Sequence, residues 1–280
     1  MLLLIATNSM KDKEIEKLIQ AEKKRQKSVV NLIASENYVS EDVLDALGSE
    51  LTNKYAEGYS EHRYYGGNIN SDKIENLTKD RAYELFGISE KDWHINVQPL
   101  SGSPANLAVY LALVPQGEKV MGMSLDQGGH LTHGHKVSAT GKIWTQVPYG
   151  VDPKTELINY EELKKLAERE KPKMIICGFT AYPRIVDFKK FREAADLGNS
   201  ILMVDMSHFA GLVAGKAYPS PFDYADVVTT TVHKTLRGPR AAIIFVRKDA
   251  REFDKKIDKA VFPGLQGGPH LNQVAAVAVT

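Results

Sequence analysis

The sequence predicts an α/β fold in which helices cover both faces of a mainly parallel sheet. From about residue 72, apolar runs of four to six residues alternate with amphipathic segments of helical period. Continuous apolar runs of this length are typical of strands buried on both faces, which parallel sheets contain. Polar and charged residues follow several of these runs directly, and ligands bind beyond the carboxyl ends of strands in such sheets. We therefore expect a ligand site at that edge of the sheet.

Two segments precede the alternating region. Residues 10–29 are charged and have few apolar positions in helical spacing, the pattern of a helix that serves as an arm. Residues 31–67 are irregular and rich in polar and aromatic groups, and loops of this composition often form sites. We predict an N-terminal arm and helix over residues 1–53 and a ligand-binding large domain over residues 54–280.

The alternating region supplies the elements of the predicted sheet. Helices are predicted over residues 73–86, 104–113, 160–170 and 188–197, and strands over residues 95–100, 119–123, 174–177, 201–205, 227–232 and 241–246. Residues 271–280 also have a helical pattern, which reaches the last residue without a C-terminal cap. From this pattern we expect a further domain beyond residue 280.

Composition narrows the class of partner. The 280 residues are 43% hydrophobic and 25% charged, and 36 Lys and Arg against 35 Asp and Glu give a net charge of +1. A net charge this close to neutral indicates neither a nucleic-acid-binding surface nor an acidic tail. No apolar run approaches the roughly 20 residues that a membrane helix needs. The single cysteine, Cys177, excludes an internal disulfide and fits a reducing compartment. We predict a cytoplasmic protein that binds a small ligand, with no nucleic acid or membrane partner.

The first candidate site is the stretch SGSPAN at residues 101–106, between a predicted strand and a predicted helix. Ser103 fits the N-cap and Pro104 the first helical position. Gly102 would let a ligand approach free backbone N–H groups at the positive end of the helix dipole, as in a phosphate site. A capped helix with nothing bound explains the same three residues, so both interpretations stay open on this motif alone.

The second and third candidates follow two later strands. Asp205 ends an apolar run, where a carboxylate directed inward needs a cation or a donor, although it could also cap the following turn. Lys234 follows the next strand, and burial among cations would lower its pKa and make the amine a nucleophile for a Schiff base; those cations are His233, Arg237 and Arg240. A phosphate site, a carboxylate for a pyridinium nitrogen and an activated lysine are what pyridoxal phosphate requires of a protein.

Two competing motifs are rejected. Lys234-Thr235 has the end of a nucleotide-binding P-loop but lacks both of the glycines that should precede it. His130, His133 and His135 have metal-ligand spacing, yet no carboxylate or thiolate is near in sequence and glycines flank them. We therefore predict no metal site and expect His130 to stack on a ligand or to form a hydrogen bond.

The sequence resembles the serine hydroxymethyltransferase family from about residue 17 to the end. The matching motifs are NLIASEN, YAEGY, HRYYGG, QPLSGSPAN, GGHLTHG, VDMSHFAGLVAG, DVVTTTVHKTLRGPR and FPGLQGGPH, in this order. The resemblance implies an aminotransferase-like large domain with a mainly parallel seven-stranded sheet, preceded by a helical arm and followed by a small domain that is missing here. It implies a pyridoxal phosphate enzyme, a homodimer or homotetramer, that moves a one-carbon unit from serine to tetrahydrofolate and so forms glycine and 5,10-methylenetetrahydrofolate.

The resemblance also implies roles for individual residues. Pyridoxal 5'-phosphate would form a Schiff base with Lys234, Asp205 would keep its ring nitrogen protonated, and His130 would stack on the ring. The phosphate would lie at Ser101, Gly102 and Ser103, the phenolic oxygen at Thr180 and His208, and the lysine would be flanked by Thr231 and His233.

Further roles concern substrate and subunit contacts. Glu57 would be the acid–base carboxylate at the serine hydroxyl, with Thr231, His233 and Tyr65 also in the catalytic set. The other implied contacts are Ser35, Tyr65, Leu125 and Gly129 for substrate, Tyr55 for phosphate or substrate, and Gly267 and Gly268 for the phosphate of the neighbouring subunit. The arginine that binds the substrate carboxylate in the family is expected beyond residue 280.

Two departures from the family pattern keep other functions open. Residues 68–72 read NINSD where the family has Glu-Tyr, an aliphatic residue and Asp, and Ala241-Ala242 replace Gly-Gly. The alternatives are a related aldolase that cleaves β-hydroxy amino acids without folate, as threonine aldolases do, and a non-catalytic homologue. None of the residues with an assigned chemical role is changed.

Overall fold

The computed structural model describes residues 10–249 and 251–280, and it contains two compact units. The first ends at Glu36 and the second is Asn37–Thr280. In the first unit, helix α1 (Lys13–Ser28) begins where Asp12 accepts hydrogen bonds from the backbone N–H groups of Glu14 and Ile15, both at 3.1 Å. This agrees with the helix predicted over residues 10–29, whereas the domain boundary predicted at residue 53 stays a prediction.

The second unit begins with a short helix and a hairpin that were not predicted, namely helix α2 (Glu41–Leu47) and strands β1 (Gly58–Tyr59) and β2 (His62–Arg63). They are followed by helix α3 (Ile69–Phe86), which corresponds to the helix predicted over residues 73–86. The hairpin turn requires Gly58, which has φ +94°, because a Cβ there would lie 2.3 Å from the carbonyl oxygen of His62. A segment that looks irregular in sequence thus folds into a tight turn.

Strands and helices then alternate as the sequence predicts. The strands are β3 (Trp93–Asn96), β4 (Lys119–Met123), β5 (Thr145–Tyr149), β6 (Met174–Gly178), β7 (Ile201–Asp205), β8 (Val227–Thr231) and β9 (Ala242–Arg247). The helices are α4 (Gly102–Leu113), α5 (Ala139–Ile143), α6 (Tyr160–Glu170), α7 (Phe188–Gly198), α8 (Ala210–Ala214), α9 (Phe253–Lys259) and α10 (Leu271–Val279).

These strands form one seven-stranded sheet in the order β3-β9-β8-β7-β6-β4-β5. Strand β9 is antiparallel to both of its neighbours, and the pairs on the β5 side of β8 are all parallel. The prediction of a mainly parallel seven-stranded sheet covered by helices is therefore confirmed. Because the parallel strands point the same way, the ends of β6, β7 and β8 lie side by side, with Asp205 opposite Gly178 and Thr229.

Both faces of the sheet are buried. Consecutive strand residues enter opposite core clusters: Ile175 and Leu202 pack in one, Ile176 and Met203 in the other. Each fully buried aliphatic side chain contributes roughly 1.5 to 3 kcal/mol relative to exposure. Among the helices of residues 10–249 and 251–280, none is long and apolar enough to cross a membrane.

Three local predictions were wrong. The strand predicted over residues 95–100 ends at Asn96. Strand β5 was not predicted, because Thr145–Tyr149 mixes polar residues and a proline with its apolar positions. Helix α4 begins at Gly102 with Ser101 as its N-cap, so neither Ser103 as N-cap nor Pro104 as first residue is correct. Capping preferences alone do not distinguish two serines in one turn.

Candidate functional site

The candidate site begins with Asp205 at the carboxyl end of β7, which is 7% exposed. Its Oδ2 accepts hydrogen bonds from Asn106 Nδ2 at 2.8 Å and from His133 Nε2 at 3.0 Å. Its Oδ1 accepts from the backbone N–H of Ser207 at 3.1 Å and from the Ser207 hydroxyl at 2.6 Å. Both carboxylate oxygens therefore have two donors each, supplied by three different segments.

These donors decide the charge of Asp205. Burial alone would raise its pKa, but the hydrogen bond and charge of His133, with the hydrogen bonds from Ser207 and Asn106, hold that pKa well below its usual range. Asp205 is thus a buried permanent anion. Such a group stabilises a positive charge placed beside it, such as a protonated ring nitrogen.

A chain of hydrogen bonds connects Asp205 to His130. Asn106 also donates to Thr132 Oγ1 at 2.9 Å, and that hydroxyl lies 2.7 Å from His130 Nδ1. The backbone N–H of Thr132 donates to the same ring nitrogen at 3.2 Å, so the neutral ring carries its proton on Nε2. Burial, followed by the charge of His133, lowers the pKa of His130 to about 4. A neutral, oriented imidazole suits stacking on a planar ligand.

Lys234 lies in the turn after β8 and is 8% exposed. The turn is held at its backbone, where Asn37 Nδ2 donates to the carbonyl of Lys234 at 2.9 Å. Burial lowers the pKa of Lys234, the charge of Asp205 opposes that change, and the guanidinium of Arg240 adds to it. Arg237 instead donates to the carbonyl of Tyr38 at 3.2 Å. The free amine that a Schiff base needs is therefore more populated than in an exposed lysine.

Two buried polar atoms near Lys234, Thr231 Oγ1 and His233 Nδ1, have no hydrogen-bond partner within the described part of the chain. Burial, followed by the charges of Arg240 and Lys234, lowers the pKa of His233 to about 4. Burial and the charge of Lys234 also lower the pKa of His208, in the turn after β7, to about 4. Unpaired buried polar atoms cost free energy, so their position at the strand end indicates a ligand that pairs with them.

The N-terminus of helix α4 approaches the same strand end. A Cβ on Gly102 would lie 2.6 Å from Thr231 Cγ2, so only glycine fits where the helix meets β8. The first backbone hydrogen bond of the helix runs from Ala105 N to the carbonyl of Ser101 at 3.1 Å. The N–H groups of Gly102 and Ser103 precede that bond and are placed to receive an anion at the positive helix end.

Three other predicted residues lie around the turn after β4: Leu125 and Gly129 belong to that turn, and Thr180, which follows β6, hydrogen-bonds to it. Thr180 Oγ1 donates to the carbonyl of Gly129 at 2.9 Å, and Thr180 N donates to the carbonyl of Gly128 at 2.8 Å. A Cβ on Gly129 would lie 2.0 Å from the carbonyl oxygen of Met123, so glycine is required there. Leu125 is 39% exposed in the same turn, which the structure therefore places beside Thr180 and His130.

A second set of predicted residues, the Glu57 group, comprises Tyr55, Glu57, Tyr65, Gly267 and Gly268. The rings of Tyr55 and Tyr65 meet edge to face with centroids 6.1 Å apart. Hydrogen bonding with Glu57, followed by its charge, raises the pKa of Tyr65. A Cβ on Gly268 would lie 3.4 Å from Glu57 Cγ, so the glycine loop packs against this carboxylate.

Ser35 belongs to the N-terminal unit, which ends at Glu36. It is the one predicted site residue in that unit. Its contact with substrate stays a prediction.

Sequence reasoning missed three residues that hold Asp205: Asn106, His133 and Ser207. His133 is 1% exposed, and its Nε2 donates to Asp205 although we considered it only as a metal ligand. The buried hydroxyl of Ser207 also accepts from the backbone N–H of Thr231 at 3.0 Å, which connects the ends of β7 and β8. The available signal was a polar residue in each of the three motifs, but nothing local assigns them a shared partner.

The described residues fit pyridoxal phosphate. They supply an anion-binding helix end, a buried permanent carboxylate, a lysine with a lowered pKa and two unpaired buried polar atoms. Within residues 10–249 and 251–280, no group of three or more His, Cys, Asp and Glu side chains is arranged to hold a metal ion.

Known proteins are similar to the chain over nearly all of its length. The sequence profile of the serine hydroxymethyltransferase family matches residues 8–280. Serine hydroxymethyltransferase of Desulfotalea psychrophila is 57% identical over 268 residues, 96% of this chain and 61% of that protein. Serine hydroxymethyltransferase 2 of Pseudomonas fluorescens is 55% identical over 261 residues, 93% of this chain and 61% of that protein. Serine hydroxymethyltransferase 1 of Pseudomonas aeruginosa is 54% identical over 268 residues, 96% of this chain and 63% of that protein. The chain thus spans less than two thirds of the length of these relatives.

Proposed function

The chain belongs to the serine hydroxymethyltransferase family, and from this premise we propose that the whole protein transfers a one-carbon unit between serine and tetrahydrofolate. The products would be glycine and 5,10-methylenetetrahydrofolate, and the reaction would be reversible. The observation that carries the proposal is the permanent anion Asp205 at the end of β7, whose charge acts on Lys234, a lysine of lowered pKa after the adjacent strand.

Pyridoxal phosphate is the proposed cofactor. Lys234 would hold it covalently, Asp205 would hold the proton on its ring nitrogen, and the N–H groups of Gly102 and Ser103 would bind its phosphate. When bound, the cofactor supplies an electron-withdrawing ring that stabilises negative charge at the α-carbon of an amino acid. The residues proposed to contact it further are Ser101, His130, Thr180 and His208, and the unpaired Thr231 and His233 atoms support a polar ligand at this place.

Three side chains would perform the remaining steps at the amino acid. Glu57 would accept the proton of the serine hydroxyl as the bond between the α- and β-carbons breaks, and return it in the reverse direction. Tyr65, whose pKa Glu57 raises further above its ordinary value, would donate a hydrogen bond to the carboxylate or to substrate. The neutral ring of His130 would cover one face of the site and exclude water there.

We also propose a homodimer or homotetramer in the cytoplasm, with the large domain over residues 54–280. The argument for assembly is that Gly267 and Gly268 pack against Glu57 and would serve the phosphate of the neighbouring subunit. Cofactor retention should therefore fall when the protein is diluted through the range in which its subunits dissociate. Retention that is unchanged in a demonstrated monomer would contradict this arrangement.

The decisive test measures serine cleavage by the whole protein with and without tetrahydrofolate. We expect cleavage that depends on folate, together with folate-dependent exchange of the α-proton of glycine. Cleavage of β-hydroxy amino acids that ignores folate would instead identify an aldolase. A purified protein that remains colourless with added pyridoxal phosphate would indicate a non-catalytic homologue.

A further inference from the structure

The backbone on both sides of Glu57 is fixed by hydrogen bonds to its carbonyl groups. Arg63 Nη1 donates to the carbonyl of Ala56 at 2.9 Å and to that of Gly58 at 2.8 Å. The carbonyl of Glu57 itself accepts from the backbone N–H of Tyr64 at 3.0 Å. Gln98 Nε2 is a second donor to Gly58, at 3.0 Å. One arginine thus binds the carbonyl groups of the two residues that flank Glu57.

Arg63 is itself held by two carboxylates. Its side chain is only 4% exposed, with Nε 2.8 Å from Asp72 Oδ1 and Nη2 2.7 Å from Glu75 Oε2. Glu75 is fully buried and also lies 2.9 Å from the ammonium of Lys79. A buried guanidinium persists only when its charge is compensated and its N–H groups have acceptors; here two carboxylates compensate the charge, and the carboxylates and two carbonyls accept four hydrogen bonds. We call Arg63, Asp72, Glu75, Lys79 and Gln98 the Arg63 network.

The network leaves the carboxylate of Glu57 free to act. That side chain extends toward Tyr65 and the loop of Gly267 and Gly268. Burial works against ionisation of Glu75, but Lys79 and then Arg63 outweigh it and lower the pKa of Glu75. The negative charge that holds Arg63 therefore persists into mildly acidic solution.

We propose that Arg63 is a positioning residue for Glu57, which fixes the carboxylate at the serine hydroxyl by binding the carbonyl groups of Ala56 and Gly58. The inference rests on the acid–base role proposed above for Glu57. Lysine cannot replace Arg63 in this role, because an ammonium has three donors at one point whereas the guanidinium reaches two carbonyls and two carboxylates in a planar fork. A small displacement of a catalytic group lowers the reaction rate strongly, so substitution of Arg63 should lower the catalytic rate.

The first measurement reads the position of Glu57 without any turnover. In the whole protein with ¹³C-labelled tyrosine rings, the pKa of Tyr65 is followed by NMR, with its resonance assigned from Tyr65→Phe. We expect Glu57→Gln to bring that pKa toward its ordinary value and Arg63→Lys to shift it in the same direction. A folded Arg63→Lys protein with the Tyr65 pKa of the unmodified protein would overturn the proposal.

The control is Arg247→Lys. Arg247 also donates to two backbone carbonyls, those of Ala225 at 3.0 Å and of Phe222, but it lies at the end of β9 outside the Arg63 network. The Arg247→Lys change should destabilise the fold while leaving the Tyr65 pKa unchanged. If Arg63→Lys does not fold, Asp72→Asn serves instead, because that side chain is 23% exposed. A smaller shift of the Tyr65 pKa in the same direction would support the proposal, whereas an unchanged Tyr65 pKa would contradict it.

The second measurement is a double-mutant cycle on serine cleavage. Because general acid–base catalysis contributes about 10²- to 10⁴-fold, Arg63→Lys should lower kcat by about 10- to 100-fold with a smaller change in KM. In a Glu57→Gln protein the same change should cost less than about 3-fold, because its target is already absent. Equal losses in both proteins would mean that Arg63 acts on folding alone. Absence of cleavage by the unmodified protein would refute the proposed function, while the Tyr65 measurement would still decide the role of Arg63.

Discussion

Replacement of Asp205 by asparagine removes one charge and keeps the shape of the side chain. Whichever way the new amide is oriented, its NH₂ group faces two donors. At the Oδ2 position these are His133 Nε2 and Asn106 Nδ2, and at the Oδ1 position they are the N–H and hydroxyl of Ser207. The hydroxyl can rotate and accept, so we expect the NH₂ group to turn toward Ser207.

The cost follows from that orientation. One hydrogen bond to a charged group is lost at the N–H of Ser207, worth roughly 1.5 to 3 kcal/mol, and the bonds that remain lose their charge assistance. We therefore expect the free energy of unfolding of the cofactor-free protein to fall by about 3 kcal/mol. The anion that favours a protonated ring nitrogen is also gone, so serine cleavage should fall by on the order of 10³-fold or more.

The stability difference should depend on pH with a definite sign. The pKa of Asp205 is lower in the folded protein than the value of about 4 expected in the unfolded chain. Its stabilisation is therefore complete above about pH 4 and is lost as the pH falls through the folded value. The gap between the unmodified protein and Asp205→Asn should be constant near neutrality and should narrow below about pH 4.

Asp226→Asn is the matched control. Asp226 is 6% exposed, directly precedes β8, and pairs with Arg192 at 2.9 Å and Arg251 at 2.6 Å. Its replacement should cost about as much stability, because breaking a buried ion pair costs about 3 to 5 kcal/mol, but should preserve cofactor binding. Urea unfolding and spectroscopic titration with pyridoxal phosphate measure the two effects separately. Near-normal turnover in Asp205→Asn, or equal loss of cofactor binding in both variants, would refute the proposed role.

Three other predictions concern the same site. His133→Leu should lower the free energy of unfolding by about 1 to 3 kcal/mol and weaken cofactor binding. His133→Gln keeps a hydrogen-bond donor and should restore part of the stability and part of the binding. Equal stability and binding in the two variants would exclude a role for that donor. Gly102→Ala should lower the free energy of unfolding by about 1 to 3 kcal/mol and reduce phosphate-dependent cofactor binding, because its Cβ would lie 2.6 Å from Thr231 Cγ2. The control Gly48→Ala, whose Cβ would have its nearest atom at 3.5 Å, should be tolerated. The same loss of stability and binding in both variants would point to the helix alone. Borohydride reduction in the presence of pyridoxal phosphate should label the peptide that contains Lys234. Because the pKa of Lys234 is lowered, this labelling should occur at a lower pH than the labelling of exposed lysines. Labelling of another lysine instead would reject the assignment.

Much of the fold could be predicted from the sequence because the signals were local. Apolar runs and amphipathic periods identified six of the seven strands, and the residues that follow them included Asp205 and Lys234. Strand β5 was missed, since Thr145–Tyr149 lacks a continuous apolar run, and so was the hairpin of β1 and β2. A turn that depends on one glycine and on partners elsewhere leaves little periodic signal.

The sequence by itself determined which chemical groups stand at the strand ends and which family the chain resembles. Only the tertiary structure decided their partners, because these lie far apart along the chain: Asp205 takes its donors from Asn106, 99 residues away, and from His133, 72 residues away. The backbone around Glu57 has one partner near in sequence, Arg63, and one distant partner, Gln98, which lies 40 residues from the carbonyl of Gly58 that it binds. Hydrogen bonds and buried charges depend on distances of a few ångströms after folding, and spacing along the chain does not encode those distances.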